Sequence, residues 1–280
     1  MSQTAELAAE LDVAPDTIEA TLNYIVDDGN KVFTIVATPG GSDTRAGGTP
    51  DPRRVEIHNG RPHVKEFDLE TNGFRFVGHD TKVKDFYDED EIKRVYYPEM
   101  VELIKAESGA KRVVVFDHTL RDGNPERNDG VREPVKYIHN DQTFVSGPRR
   151  VRDHLPTGEA ERLLQGRVAI VNLWRPIRET VQSSPLALCD SRSITLNDLV
   201  ASDLVYPDKV GETYALVFNP RHRWYYFPHM SPDEFLLLKI YDSAGDGIAR
   251  LTAHTAFDDP TSPADAPPRR SIELRTLLFF

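Results

Sequence analysis

The pattern that most narrows the fold is a succession of short β-branched or aromatic runs, each cut off by Gly, Pro, Asn or Asp within about ten residues. Val113-Val114-Val115-Phe116, inside a predicted strand over 112–120, is too short and too β-branched for a helix. Further strands are predicted over 135–139, 167–174, 212–219, 224–227, 235–242, 248–257 and 271–280. Helices do not alternate with them in the βαβ rhythm of a parallel sheet. Such a chain is expected to be mainly β, a jelly roll or related sandwich with a few flanking helices.

Before residue 110 the pattern is mixed. Residues 1–15 read as a short helix or frayed tail, and 40–53 as a loop too rich in Gly, Pro, Asp and Thr to bury much apolar surface. From 55 to 77, extended pieces broken at Asn59-Gly60 and Asn72-Gly73 predict a hairpin-like layer. Over 85–106 the period changes: Phe86, Ile92, Val95, Tyr96, Met100, Leu103 and Ile104 recur at helical spacing, with a break near Pro98 and Gly109 past the end. Other helical or loop material is confined mostly to 158–165 and 196–203. One structural domain is expected, with 1–110 as flanking strands, loop and helix packed on a jelly-roll core of 111–280. There is no internal repeat and no Gly-rich phosphate loop.

Composition removes several classes of function. A formal net charge of -11 argues against a nucleic-acid binder, which needs clustered Lys and Arg to displace counterions. The cluster Arg149-Arg150-Val151-Arg152 is short and reads as a solvated face. A single cysteine, Cys189, excludes an intramolecular disulfide framework and a multi-cysteine zinc site, and reads as a small buried hydrophobe. The N-terminus lacks the charged start and apolar stretch of a signal peptide, and no run is long enough to cross a bilayer. A soluble, cytoplasmic protein with no membrane partner is expected.

Three spacings carry chemistry. His139-Asn140-Asp141 puts an imidazole and a carboxylate on one face of an extended segment, because side chains at i and i+2 point the same way. His254 completes two imidazoles and one carboxylate, the set that holds mononuclear non-haem iron on one side and leaves positions open on the other. Arg269 and Ser271, again at i and i+2, offer a guanidinium fork and a hydroxyl to a carboxylate such as the far end of 2-oxoglutarate. Arg275 competes for that role by alternation from Arg269. Nine histidines and 45 acidic residues would give about one His-x-Asp/Glu match by chance, so the weight lies in the order and context of the three elements.

Rival readings use the same residues. A zinc hydrolase would share the three ligands but gives Arg269 and Ser271 no task. A non-enzymatic jelly-roll binding module would use the His and Asp side chains in hydrogen-bond networks or around a structural ion. His222 and His229 flank Trp224-Tyr225-Tyr226-Phe227 and read as packed residues, with Tyr226 a candidate to reach a cosubstrate. Lys239, inside an apolar run, points either into the pocket or marks an edge strand.

Four segments occur together: Val115-Phe116-Asp117-His118-Thr119-Leu120-Arg121, Asn172-Leu173-Trp174-Arg175-Pro176-Ile177, Ser184-Pro185-Leu186-Ala187-Leu188-Cys189-Asp190 and Leu237-Leu238-Lys239-Ile240-Tyr241-Asp242-Ser243. From about Ala20 to the C-terminus the chain resembles the hydroxylase/desaturase family that includes the fungal gibberellin desaturase and the cephalosporin hydroxylase component of cephamycin biosynthesis. The resemblance implies a double-stranded β-helix, iron(II) and 2-oxoglutarate as cofactors, molecular oxygen, and hydroxylation, desaturation or oxidative cyclisation of a small molecule in secondary metabolism. By position it implies His139, Asp141 and His254 as iron ligands and Arg269 with Ser271 on the cosubstrate. His118, Arg121, Trp174 and Arg175 become candidates for substrate contact. Their arginines would favour an anionic substrate such as an amino acid or carboxylic acid. A homodimer and dependence on a partner protein are both open at this point.

Overall fold

The computed structural model describes residues 14–36, 44–123, 133–245 and 247–280. In chain order the strands are β1 (Thr17–Val26), β2 (Val32–Ile35), β3 (Thr44–Ala46), β4 (Thr49–Asn59), β5 (Phe74–Gly78), β6 (Arg112–Asp122), β7 (His139–Asn140), β8 (Val168–Pro176) and β9 (Leu186–Cys189). They continue as β10 (Leu199–Val205), β11 (Val210–Leu216), β12 (Trp224–Tyr226), β13 (Glu234–Asp242), β14 (His254–Ala256) and β15 (Arg270–Phe279). Three helices matter below: α1 (Tyr97–Ser108), α2 (Ser146–His154) and α3 (Thr157–Leu163).

The strands form two facing sheets, a ten-stranded one ordered β1-β4-β12-β9-β14-β7-β11-β10-β2-β3 and a five-stranded one ordered β5-β13-β8-β15-β6. Many neighbours in space, such as β9 with β12 and β14, β7 with β14, and β8 with β15, are far apart in sequence, as a jelly roll requires. Between the sheets, Val168, Ile170, Leu236, Leu238, Leu277 and Phe279 meet Leu186, Leu188 and Phe227. On the outer face of the smaller sheet, Ala169, Val171, Leu173, Phe235, Leu237 and Leu274 pack against Ile92, Tyr96, Met100 and Ile104. Strands β8 and β13 are therefore buried on both faces, which is why their sequences run apolar without alternation.

The helix expected over 85–106 is present with its break explained. Asp88 accepts from the backbone of Asp90 and Glu91, a π-helical stretch covers Ile92–Tyr96, and α1 starts with Pro98 in its first turn. A proline has no N–H to give to the preceding turn, so the extra residue of the π segment is placed where the hydrogen-bond ladder is already interrupted. Gly109, at φ 73°, closes α1 in the left-handed conformation.

Several expectations need correcting. Much of the 40–53 stretch is strand: β3 and the start of β4 lie there, held by a ten-residue antiparallel ladder between β4 and β1. Strand β1 buries Ile18, Ala20, Leu22 and Tyr24 in alternation, a period-two pattern present in the sequence. Residues 196–198 form a single 3-10 turn and 199–203 are already in β10, whereas only 254–256 of the predicted 248–257 strand forms, and only His139 of 135–139. Lys239 is not on an edge, because β13 lies between β5 and β8; its ammonium is buried against Asp242 at 2.8 Å and Glu70 at 3.3 Å. The tail expected over 1–15 lies almost wholly outside the described residues. Residues before 110 contribute strands to both sheets. Among the described residues, no helix is long and apolar enough to cross a membrane.

Candidate metal centre

Strand β7 is two residues long, and its neighbours on either side are β14 and β11. His139 pairs directly with His254 across the β7–β14 register, so the two rings lie side by side with centroids 4.5 Å apart. Asn140, facing away, is fully buried and donates from Nδ2 to the carbonyls of Gln142 (2.6 Å) and Ile240 (2.9 Å). Ile240 sits at the β-bulge between β13 and β8, outside the paired register, and its carbonyl takes the amide of Asn140. That tether fixes the segment from which His139 and Asp141 project.

Nε2 of His139 is 3.5 Å from Oδ1 of Asp141, and Nε2 of His254 is 4.0 Å from the same oxygen. Neither is a good hydrogen bond, yet one donor atom from each of the three residues lies within 4.8 Å of the others. Nδ1 of His139 is 2.9 Å from the Tyr137 carbonyl, which assigns the ring proton to Nδ1 and leaves the Nε2 lone pair facing Asp141. Burial and the neighbouring His254 push the His139 pKa down to about 4, so its imidazole is neutral at physiological pH, as a ligand must be. Burial alone would raise the Asp141 carboxyl, but Arg275 and the two imidazoles hold it well below the usual range.

A narrow cleft of about 20 Å³ beside the histidines is lined by Arg121, Trp174, Leu186, Glu273 and Arg269. Arg269 is buried, stacks over Trp174 at 5.3 Å and donates from Nη1 to the Ser184 carbonyl at 2.6 Å. Its Nε has no partner among the described residues, and neither has Oγ of the buried Ser271. Burial, then the charge of Arg121, pulls the Arg269 pKa down to about 9, against the opposing charge of Glu273. A second cavity of about 460 Å³ shares Arg121, Val135 and His139 with this cleft and is also lined by Phe116, Tyr137, Asp141, Arg150, Lys209 and Tyr214.

Residues 22–279 match the family described as oxidoreductase/YMDC permease-like domain. The chain belongs to that family. It is 35% identical over 298 residues to the hydroxylase/desaturase efuI of Hormonema carpetanum, covering 96% of this chain and 97% of that protein. It is also 35% identical to the Fe(II)/2-oxoglutarate-dependent dioxygenase nvfI of Aspergillus novofumigatus, over 86% and 88% of the two chains. A solved structure of the iron and alpha-ketoglutarate-dependent endoperoxidase NvfI superposes with a TM-score of 0.85 at 30% identity, covering 96% of this chain and 99% of that one.

In this member of the family, three residues read from the sequence as ligand contacts lie elsewhere. His118 is on the far side of the smaller sheet, 2.7 Å from the Tyr97 hydroxyl and 3.1 Å from Glu89. A bulge at Phe116, where β6 slips against β15, puts Asp117, Thr119 and Arg121 on the cavity side and turns His118 away. Arg175 alternates with Trp174 and so faces the outer layer, fully buried near Phe86 and Tyr96, where it donates to the carbonyls of His79 and Pro232. Tyr226 pairs with Ala187, one residue from the Leu188 that pairs with His254, and therefore points to the opposite face, against Phe257. Arg121 and Trp174 line the cleft. Arg275 is occupied by Asp141, Asp117 and Glu273, which leaves Arg269 as the arginine with a donor to offer.

Residues the sequence reading missed are Asn172 and Glu273, both buried at the site. Their signal was a lone polar residue in an apolar strand, Val171-Asn172-Leu173, and an acid in alternation with Ser271 and Arg275. Cys189 is buried, with its thiol pKa pushed up to about 12 by burial.

Proposed function

We propose that the chain is a non-haem iron(II)/2-oxoglutarate-dependent oxygenase acting on a small secondary metabolite. His139, Asp141 and His254 would hold the iron, with Asp141 using Oδ1. The observation that carries the reading is the buried, unpaired Nε of Arg269, which lines the cleft beside the two imidazoles; the Oγ of Ser271, two residues on, is buried and unpaired as well. A dicarboxylate would supply the missing anion there; a zinc hydrolase or an inert binding module would leave the charge unused.

When bound, iron and 2-oxoglutarate would activate molecular oxygen, the oxidant, to break an unactivated C–H bond. The chain's own residues do the rest. Arg269 and Ser271 would hold the distal carboxylate of the cosubstrate. Trp174 and Leu186 exclude water along the cleft, and the Tyr137 carbonyl keeps the His139 ring proton on Nδ1. The substrate would occupy the 460 Å³ cavity, a size suited to a small molecule. Arg121, Arg150 and Lys209 along its wall, in a chain of net charge -11, support an anionic group on that substrate.

The test is anaerobic addition of iron(II) and 2-oxoglutarate. A weak visible charge-transfer band is expected, followed by succinate release on admission of oxygen. Protein that stays colourless, or an Asp141→Ala variant with full turnover, would refute the reading.

A further inference from the structure

We infer that Asn172 and Arg275 are positioning residues that hold Asp141 to one oxygen, and so set how many positions the metal keeps open. The inference rests on the metal assignment above. In the β8–β15 register Asn172 lies directly opposite Arg275, and in the β15–β6 register Arg275 lies opposite Asp117, so one row crosses three strands under the metal centre. From that row Asn172 Nδ2 donates to Oδ2 of Asp141 at 2.8 Å, and Arg275 Nε donates to the same oxygen at 3.3 Å.

The two donors are themselves locked together. Glu273 accepts from Asn172 on Oε1 at 2.8 Å and from Arg275 on Oε2 at 2.7 Å, closing a ring of Asp141, Asn172, Glu273 and Arg275. The remaining Arg275 nitrogen, Nη1, is held by Thr119 at 2.7 Å and Asp117 at 3.1 Å. Every nitrogen of the guanidinium is thus assigned, and its plane has one setting. Oδ2 of Asp141 faces two donors, while Oδ1 faces only the imidazoles.

The chemical consequence follows from counting. A carboxylate bound through both oxygens would fill two positions, and with two imidazoles would leave too few for a chelating cosubstrate and oxygen. Tying Oδ2 to Asn172 and Arg275 keeps Asp141 to a single bond. A purely structural ion pair would stabilise the sheet without altering the metal's coordination, and that difference can be measured.

The experiment titrates metal-free protein with Co(II), whose visible d–d bands report coordination number, and records melting temperature alongside. Asn172→Ala is expected to weaken Co(II) binding by about 10- to 100-fold and, at saturating metal, to change the band intensity because Oδ2 is freed to bind. Arg275→Gln should move both readouts the same way. Variants that fold and show the wild-type dissociation constant and spectrum would overturn the inference. If Arg275→Gln does not fold, Asn172→Ala and Asn172→Ser decide alone. Failure of the wild-type chain to bind Co(II) would instead strike at the oxygenase reading itself.

Discussion

Replacing Arg269 by Met separates a cosubstrate ligand from a structural cation, because the two predict opposite effects on the ligand-free protein. The buried guanidinium keeps one hydrogen bond, to the Ser184 carbonyl, and has an unpartnered Nε. Removing an uncompensated buried charge in favour of an apolar side chain of similar length is neutral or stabilising by about 1–4 kcal/mol. The ligand-free melting temperature should therefore hold or rise. Binding suffers instead. Losing a charge-assisted bond worth about 1.5–3 kcal/mol and stranding the cosubstrate carboxylate costs another 1–3 kcal/mol or so. The sum, about 2.5–6 kcal/mol, corresponds to a roughly 10²- to 10⁴-fold weaker dissociation constant.

Thermal shift with Mn(II) in place of iron reads both arms. At 2-oxoglutarate one hundred times its dissociation constant, wild type gains about 2.7 kcal/mol, and the variant at the same concentration gains about 0.4 kcal/mol or less. At about 2–4 °C per kcal/mol for chains near this size, the wild-type shift is roughly 5–10 °C and the variant's about 1 °C. A variant that melts well below wild type without ligand yet keeps the full 2-oxoglutarate shift would refute the assignment of Arg269.

Three further outcomes are expected. His139 has its pKa lowered from 6.5 to about 4 in the folded chain, so the unfolded chain takes up the proton first as pH falls. Metal-free stability should drop between pH 6.5 and about 4 by up to 1.4 kcal/mol per pH unit, and urea midpoints of His139→Gln should show a flatter slope; equal slopes would contradict it. Lys239→Met should cost less than the roughly 3–5 kcal/mol of a stranded buried charge, because Arg167 still holds Asp242 at 2.6 Å; chemical denaturation measures this, and a full-sized loss would contradict it. Arg175→Met should lower the melting temperature while leaving the KM for 2-oxoglutarate unchanged, since its guanidinium lies on the far face of the smaller sheet; a raised KM would return Arg175 to the site.

His139 and Asp141 were readable as candidate metal ligands because their geometry is local. His139 and Asp141 share a face at i and i+2, and Arg269 with Ser271 repeats the device. Candidates that depended on which face of a strand looks inward fared worse. One bulge at Phe116 turns His118 away, and alternation in β8 sends Trp174 and Arg175 to opposite layers. Neither the bulge nor the choice of inner face is written in residue types, because β8 is apolar on both sides.

Arg275 and Asn172 are 103 positions apart and make sense only once β8 and β15 are side by side. Linear spacing dictated which atoms could bind a metal and a carboxylate, since that follows from side-chain chemistry and the pitch of an extended chain. The partner of each charge was settled by strand order and register, because a buried cation takes whichever anion the folded sheets bring within reach: three carboxylates for Arg275, and none within ion-pair distance for Arg269 among the described residues.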